Sequence, residues 1–182
     1  MAKTSRPFVK SADTSTAAVN SRAELDKMLR RYGASAISMS EDIERRQIIV
    51  SFIVPDSTQK NAARVPVKLP ISIFAVYDAL YGRPTRYAAK PDGTGWAHIH
   101  DAKAYDPQKL MQAERVAWRN VVLWVDAALS AASVGLQTIT EAFFAHAVVG
   151  DGGARMVEVV EAFQSQLGAG VQRLLTSGTD NE

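Results

Sequence analysis

The sequence predicts an α+β fold: a small antiparallel sheet of about three strands packed against a bundle of C-terminal helices. Three observations predict it. Residues 36–69 hold three short apolar or alternating stretches separated by polar segments. A single helical pattern then runs unbroken from Asp106 to Gly135. Finally, 182 residues with 47% apolar and 22% charged content supply one core of single-domain size.

Taken in order, residues 1–20 are rich in Ser, Thr and Ala, carry Lys3, Arg6 and Lys10, and show no period, which predicts a flexible basic arm. Ser21 and Glu24 have capping-box spacing, so a helix is expected to start there, with Leu25, Met28 and Leu29 on its apolar face. Gly33 can supply the left-handed residue that ends it. Residues 36–39 alternate as a half-buried strand, 40–46 form a polar turn, and 47–54 read as a second strand buried on both faces for much of its length. Residues 56–62 read as a loop. Residues 64–69 alternate again, and Pro66 and Pro70 place that third strand at an edge, because proline cannot donate to a ladder. Ile73, Val76, Tyr77 and Leu80 fit a short helix closed by Gly82.

Residues 82–105, broken by Pro84, Pro91, Gly93 and Gly95, read as a long irregular loop of the kind that tends to be functional. Asp106 and Pro107 then open the long helix as cap and first residue. Its apolar arc is wide, which suits a central core helix; Trp118 lies near its centre and Trp124 at its edge or a subunit contact. Thr138 and Glu141 make a second capping box for a helix to about His146, residues 150–153 form a turn, and Met156 to Leu167 make the last helix. The expected organisation is an arm over 1–20, one α+β domain over 21–175 and a flexible tail over 176–182.

Composition removes several function classes. With no cysteine there is no disulfide, thiolate metal site or cysteine nucleophile. Met1 to Arg6 lack the apolar core of a signal peptide. Residues 116–136 approach membrane-span length, but Arg119, Asn120 and Asp126 interrupt them, and each charge at a span centre costs roughly 2.5–3.5 kcal/mol. A cytoplasmic protein without a membrane partner is expected. The three histidines sit in no recognisable triad or acid–base motif, so no catalytic residue and no cofactor is expected. His98 and His100 would share one face of a strand and could meet a metal, but no further spacing supplies a third ligand, and no metal is expected. The glycines at 150, 152 and 153 lack a phosphate-loop lysine.

What remains is binding. Residues 1–103 carry six more Lys and Arg than Asp and Glu, whereas the rest of the chain is acidic by four. A basic half suits an anionic partner, though solvated surface explains it equally well. Residues 81–105 interleave cations with rings: Tyr81, Arg83, Arg86, Tyr87, Lys90, Trp96, His98, His100, Lys103 and Tyr105. Such a mixture fits single-stranded nucleic acid, and it also fits a protein interface anchored by Tyr, Trp and Arg.

The run Ala117-Trp-Arg, Gly135-Leu, Thr138, Glu141-Ala-Phe-Phe-Ala-His146 and Gly150-Asp-Gly, with Tyr32-Gly-Ala34 and Leu69-Pro70 upstream, resembles a family of small uncharacterised phage and prophage proteins. The resemblance covers roughly residues 22–70 and 108–165 and implies a phage origin without an established activity. The chain departs from it in mid-helix, where Asp126 and alanines replace lysines. The order helix, Tyr-Gly, three strands, helix is also similar to phage single-strand annealing proteins of the RecT and Erf type. That similarity implies a DNA-backbone groove, which would here be lined by Arg30, Arg31, Arg45, Arg46, Arg64 and Lys68.

The expected function is therefore that of a non-enzymatic phage protein of DNA metabolism, an accessory of recombination or replication. It would bind single-stranded DNA through these six residues together with Arg83, Arg86, Lys90 and Trp96. The alternatives are a module that binds and inhibits a host defence protein, and a structural homo-oligomer; a dimer or larger ring is expected in solution, with Trp124 at an oligomer or partner contact.

Overall fold

A computed structural model describes residues 9–56, 63–90, 94–150 and 153–161. The expected α+β architecture is present: a three-stranded antiparallel sheet followed by a helix-rich C-terminal region.

The first helix, α1, spans Ala18–Arg31. Its start corrects the capping box expected at Ser21 and Glu24. The N-cap is Ala17, with no side-chain hydrogen bond, and Ser21 lies a turn inside the helix, fully buried. Glu24 instead accepts from Arg119 Nη1 at 2.6 Å. The chain enters α1 early because Gln112 Nε2 donates to the carbonyls of Ala12 and Thr14, at 3.1 and 3.0 Å, tying down part of the expected flexible arm. Residues 1–8 lie outside the described residues. At the other end the amide of Ala34 donates to Leu29 and that of Gly33 to Arg30, with Gly33 at φ +77°. This is the glycine-closed helix end that the sequence predicts.

Strands β1 (Ser35–Asp42), β2 (Gln47–Pro55) and β3 (Arg64–Ser72) pair in that order, with β2 in the middle. In β2 only one face is fully buried, by Ile48, Val50, Phe52 and Val54. The expectation of burial on both faces is corrected: Ile49, Ser51 and Ile53 are half-exposed and share the other face with Ser38 and Lys68. The register explains this. An odd–even shift separates the two faces completely, and the core helices cover one of them. Proline-bearing β3 takes an edge of the sheet, as expected, and its Val67 makes one bridge to Ala147.

Ser72 caps α2 (Ile73–Tyr81) by accepting from the Ala75 amide, and Gly82 follows at φ +85°. The described residues of 82–105 are then not irregular, which corrects a further expectation. β4 (Thr85–Ala89) and β5 (Trp96–His100) form an antiparallel hairpin, and a short 3-10 turn follows at Ala102–Ala104. Of the breakers among the described residues, Pro84 precedes β4 and Gly95 precedes β5, so neither interrupts the ladder.

Helix α3 (Pro107–Ser133) starts at Asp106, whose carboxylate accepts from the amides of Gln108 and Lys109. It is the central core helix, packing against α1, α2 and α4 (Ile139–Phe143). Trp118 is fully buried, whereas Trp124 keeps 41% exposure at the edge of the arc. Arg22 of α1 lies 4.7 Å over the Trp118 ring and pairs with Glu41 of β1 and, at 3.7 Å, with Glu114 of α3. One guanidinium thus ties three elements together. α4 opens with the expected capping box of Thr138 and Glu141. β6 (Val148–Val149) and β7 (Ala154–Arg155) flank the turn at 150–153, of which 151 and 152 lie outside the described residues. Helix follows over 156–161, and its expected continuation to Leu167 and the tail at 176–182 lie outside them too. Among the described residues, no helix is long and apolar enough to cross a membrane.

Candidate nucleic-acid interface

The β4–β5 hairpin is held at its base and open along its length. The Asp101 amide donates to the Pro84 carbonyl at 3.0 Å, and His100 Nδ1 lies 3.2 Å from the same oxygen. Tyr105 donates to Asp78 Oδ1 at 3.1 Å, while Arg83 stands 3.9 Å from Asp78 Oδ2. Burial and the Asp78 carboxylate together push the Tyr105 hydroxyl above its ordinary pKa. It remains a donor at neutral pH. At the far end the Lys90 amide donates to the Gly95 carbonyl at 2.8 Å.

Register sorts the side chains. Tyr87 pairs with His98, Ala89 with Trp96 and Thr85 with His100, so the four rings at 87, 96, 98 and 100 share one face. Tyr87 and Trp96 stack at 5.8 Å with 23° between their planes, and each keeps 64% exposure. The His98 ring lies 5.4 Å from Tyr87. At the base His100 meets Tyr105 at 5.8 Å, and Tyr105 meets Phe74 at 4.4 Å. Arg86 pairs with Ile99 on the opposite face. Cations and rings that interleave in sequence therefore separate in space: the rings form one exposed ladder, with Arg86 behind it and Lys90 at its tip.

The six cations expected to line a groove do not converge. Arg30 and Arg31 end α1 beside the start of β1, where Arg64 Nη1 donates to Ser35 Oγ at 2.7 Å. Arg45 and Arg46 sit in the β1–β2 turn, at the other end of the sheet. At about 3.3 Å per residue, the eight residues of β1 put these groups roughly 20 Å apart. Lys68 lies between the ends, on the half-exposed face; hydrogen bonds from Arg155 hold the Glu158 carboxyl below its ordinary value, and the Lys68 charge adds a smaller share. Arg30 is also engaged by Asp26 at 2.7 Å, and Arg45 stands 3.7 Å from Asp42. Among the described residues, Arg31, Arg46, Arg86 and Lys90 make no ion pair.

Two clefts among the described residues bear on the site. The larger, about 490 Å³, lies between the ends of α1, β2 and α3 and the start of α4. Its acids are already occupied: Asp56 accepts from the Thr140 amide and hydroxyl, and Glu141 closes the capping box. The smaller, about 390 Å³, brings Arg46 together with Phe74, Tyr105 and Glu114 at the foot of the ring ladder. This grouping is invisible in the sequence, because the residues come from four separate segments and no local pattern joins them. Among the described residues, no three His, Asp or Glu side chains gather as a metal site; His98 and His100 do share a face.

Trp124 packs edge-on against Phe143 at 5.3 Å and against His146 at 5.5 Å. Burial pushes the His146 imidazole below its ordinary value of 6.5, and the charge on Arg155 adds to the shift. The unfolded chain therefore takes up this proton first. His146 contributes stability that is full above the unfolded value and is lost as pH falls through the folded one. We expect the wild-type melting temperature to fall on acidification below about 6.5 and the His146→Gln variant to show a flatter profile there. Glu141 and Glu158, held below 4.5 by hydrogen bonds from Thr138 and Arg155, act only in a lower window. Equal profiles for variant and wild type between about 6.5 and 4.5 would remove His146 from the account.

No family model, no curated protein and no solved structure matches this chain.

Proposed function

We propose that this protein is non-enzymatic and binds single-stranded DNA through the ring ladder of the β4–β5 hairpin, as an accessory of recombination or replication. The observation that carries the reading is the Tyr87–Trp96 stack, in which two large rings lie together yet are each 64% exposed. A cross-strand aromatic pair adds roughly 0.2–1 kcal/mol to a hairpin even when exposed, so the stack can serve the fold and a ligand together. Left wet, the rings offer a platform on which a base gains about 1–3 kcal/mol by stacking, whatever its identity. Lys90 at the tip of the ladder and Arg86 on the opposite face of the hairpin make no ion pair among the described residues, which leaves both cations open to phosphate. The excess of six positive charges in residues 1–103 supports the same partner.

Fluorescence anisotropy of an oligothymidylate across a salt series tests this reading. Wild-type binding should weaken with salt. The triple substitution Arg83→Ala, Arg86→Ala, Lys90→Ala should flatten the log–log slope by about 0.7 for each phosphate that is no longer neutralised. Absence of any binding at low salt would end the proposal.

A second reading, a self-associating or partner-binding module, has its own observation. Trp124 keeps 41% exposure on the core helix, and Phe144 nearby keeps 50%. Light scattering decides its self-associating form: the mass of a single chain at all concentrations excludes the homo-oligomer.

A further inference from the structure

We infer that the cleft at the foot of the hairpin is a base-selective pocket that takes one guanine from the strand lying on the ring ladder. The inference rests on the single-strand reading above and adds a specificity that stacking cannot supply, since every base has a π-face.

Three features point to a nucleotide. The cleft holds about 390 Å³, within the usual range of roughly 300–1,000 Å³ for small-ligand sites and ample for one base. Its walls are aromatic and aliphatic: Phe74 and Tyr105 lie 4.4 Å apart, with Ile73 and Leu110 beside them. The Tyr105 ring is fixed, because its hydroxyl is spent on Asp78 and its edge meets Tyr77 at 4.8 Å. The site is also continuous with the ladder through the 5.8 Å contact of His100 with Tyr105. A strand stacked on Trp96 and Tyr87 therefore has a path of rings leading into it.

The two charged groups on the cleft set the specificity. Arg46 has no ion pair among the described residues, and its backbone is held in place by the Ile73 amide donating to its carbonyl at 2.8 Å. A guanidinium so placed suits a phosphate. Glu114 stands on the same cleft, 30% exposed, with one oxygen 3.7 Å from Arg22 and the other without a hydrogen bond among the described residues. A carboxylate only accepts hydrogen bonds. Guanine presents two adjacent donors on its pairing edge, N1–H and the N2 amino group, whereas cytosine and adenine present one amino group beside an acceptor. Thymine flanks its single N–H with two carbonyl oxygens that a carboxylate repels. The chemistry ranks guanine first and thymine last.

The test compares two labelled oligonucleotides of about twelve nucleotides, within the site size of a small module. One is all thymidine, and the other carries a guanine at its 5′ or its 3′ end. The wild-type protein should bind one of the guanine-ended strands at least about fivefold more tightly, the lower end of what a paired base contact gives. Glu114→Gln should remove that preference while leaving oligothymidylate affinity unchanged. Trp96→Ala should weaken both strands alike and keep the preference. If the wild type binds oligothymidylate but treats the guanine-ended strands identically, the pocket is refuted and the ladder stands. If it binds no strand, both readings fall. A preference that survives Glu114→Gln also refutes the pocket, and the wild-type comparison is independent of how that variant folds.

Discussion

Trp118→Ala should cost about 3–5 kcal/mol, the range for removing a large buried aromatic, and leave little soluble protein. Domains of this size hold only about 5–15 kcal/mol in total, so that loss is a large share of the whole. The ring has no exposed surface, sits among the core residues of α3, and supports the Arg22 guanidinium 4.7 Å above it. Removing it opens a cavity and also strips the platform from a cation that links α1, β1 and α3. Trp118→Phe should cost much less. The indole N–H has no acceptor among the described residues, so phenylalanine discards a donor whose burial already costs about 1–3 kcal/mol. Trp124→Ala should fold, because that ring keeps 41% exposure while it meets Phe143 and His146 edge-on. Urea denaturation of the three variants separates these cases, and a stable Trp118→Ala protein would mean that the core is assigned to the wrong ring.

The double substitution Tyr87→Ala, Trp96→Ala should have the largest effect on binding with the least on stability. Both rings are mostly exposed; they stack on each other at 5.8 Å, and Tyr87 also meets His98 at 5.4 Å. Removing two stacking positions at about 1–3 kcal/mol each should weaken oligonucleotide binding by roughly thirtyfold or more. The melting temperature should hardly move. A matched loss of stability and binding would instead make the ladder part of the fold.

Local chemistry explains which parts of this architecture are legible in the sequence. The long helix can be read because Asp106, Pro107 and Gly135 mark its ends and its apolar arc repeats at helical spacing over 27 residues. Thr138 and Glu141 read as a cap because nothing competes for them. Ser21 and Glu24 have the same spacing but a different fate: upstream contacts with Gln112 start the helix earlier, and Arg119 takes the glutamate. Spacing alone cannot distinguish these cases.

The β4–β5 hairpin escapes a sequence reading for a related reason. A strand announces itself by an apolar face turned to a core, and this hairpin has none to turn. Its prolines and glycines then read as loop. The ring-rich composition of 81–105 is visible, but which rings share a face depends on register, and register is fixed by pairings across the hairpin. The six-cation groove fails on distance: Arg64 and Arg46 belong to opposite ends of the sheet, a separation that only the antiparallel pairing reveals.

Ultraviolet crosslinking of the wild-type protein to an iodouracil-substituted oligonucleotide, followed by peptide mapping, tests the central claim most directly. Adducts should concentrate on Tyr87, Trp96 and His98, with Tyr105 or Phe74 next along the path. Adducts confined to the peptides carrying Arg30, Arg31 and Arg64, or none at any salt concentration, would contradict the ladder as the binding surface.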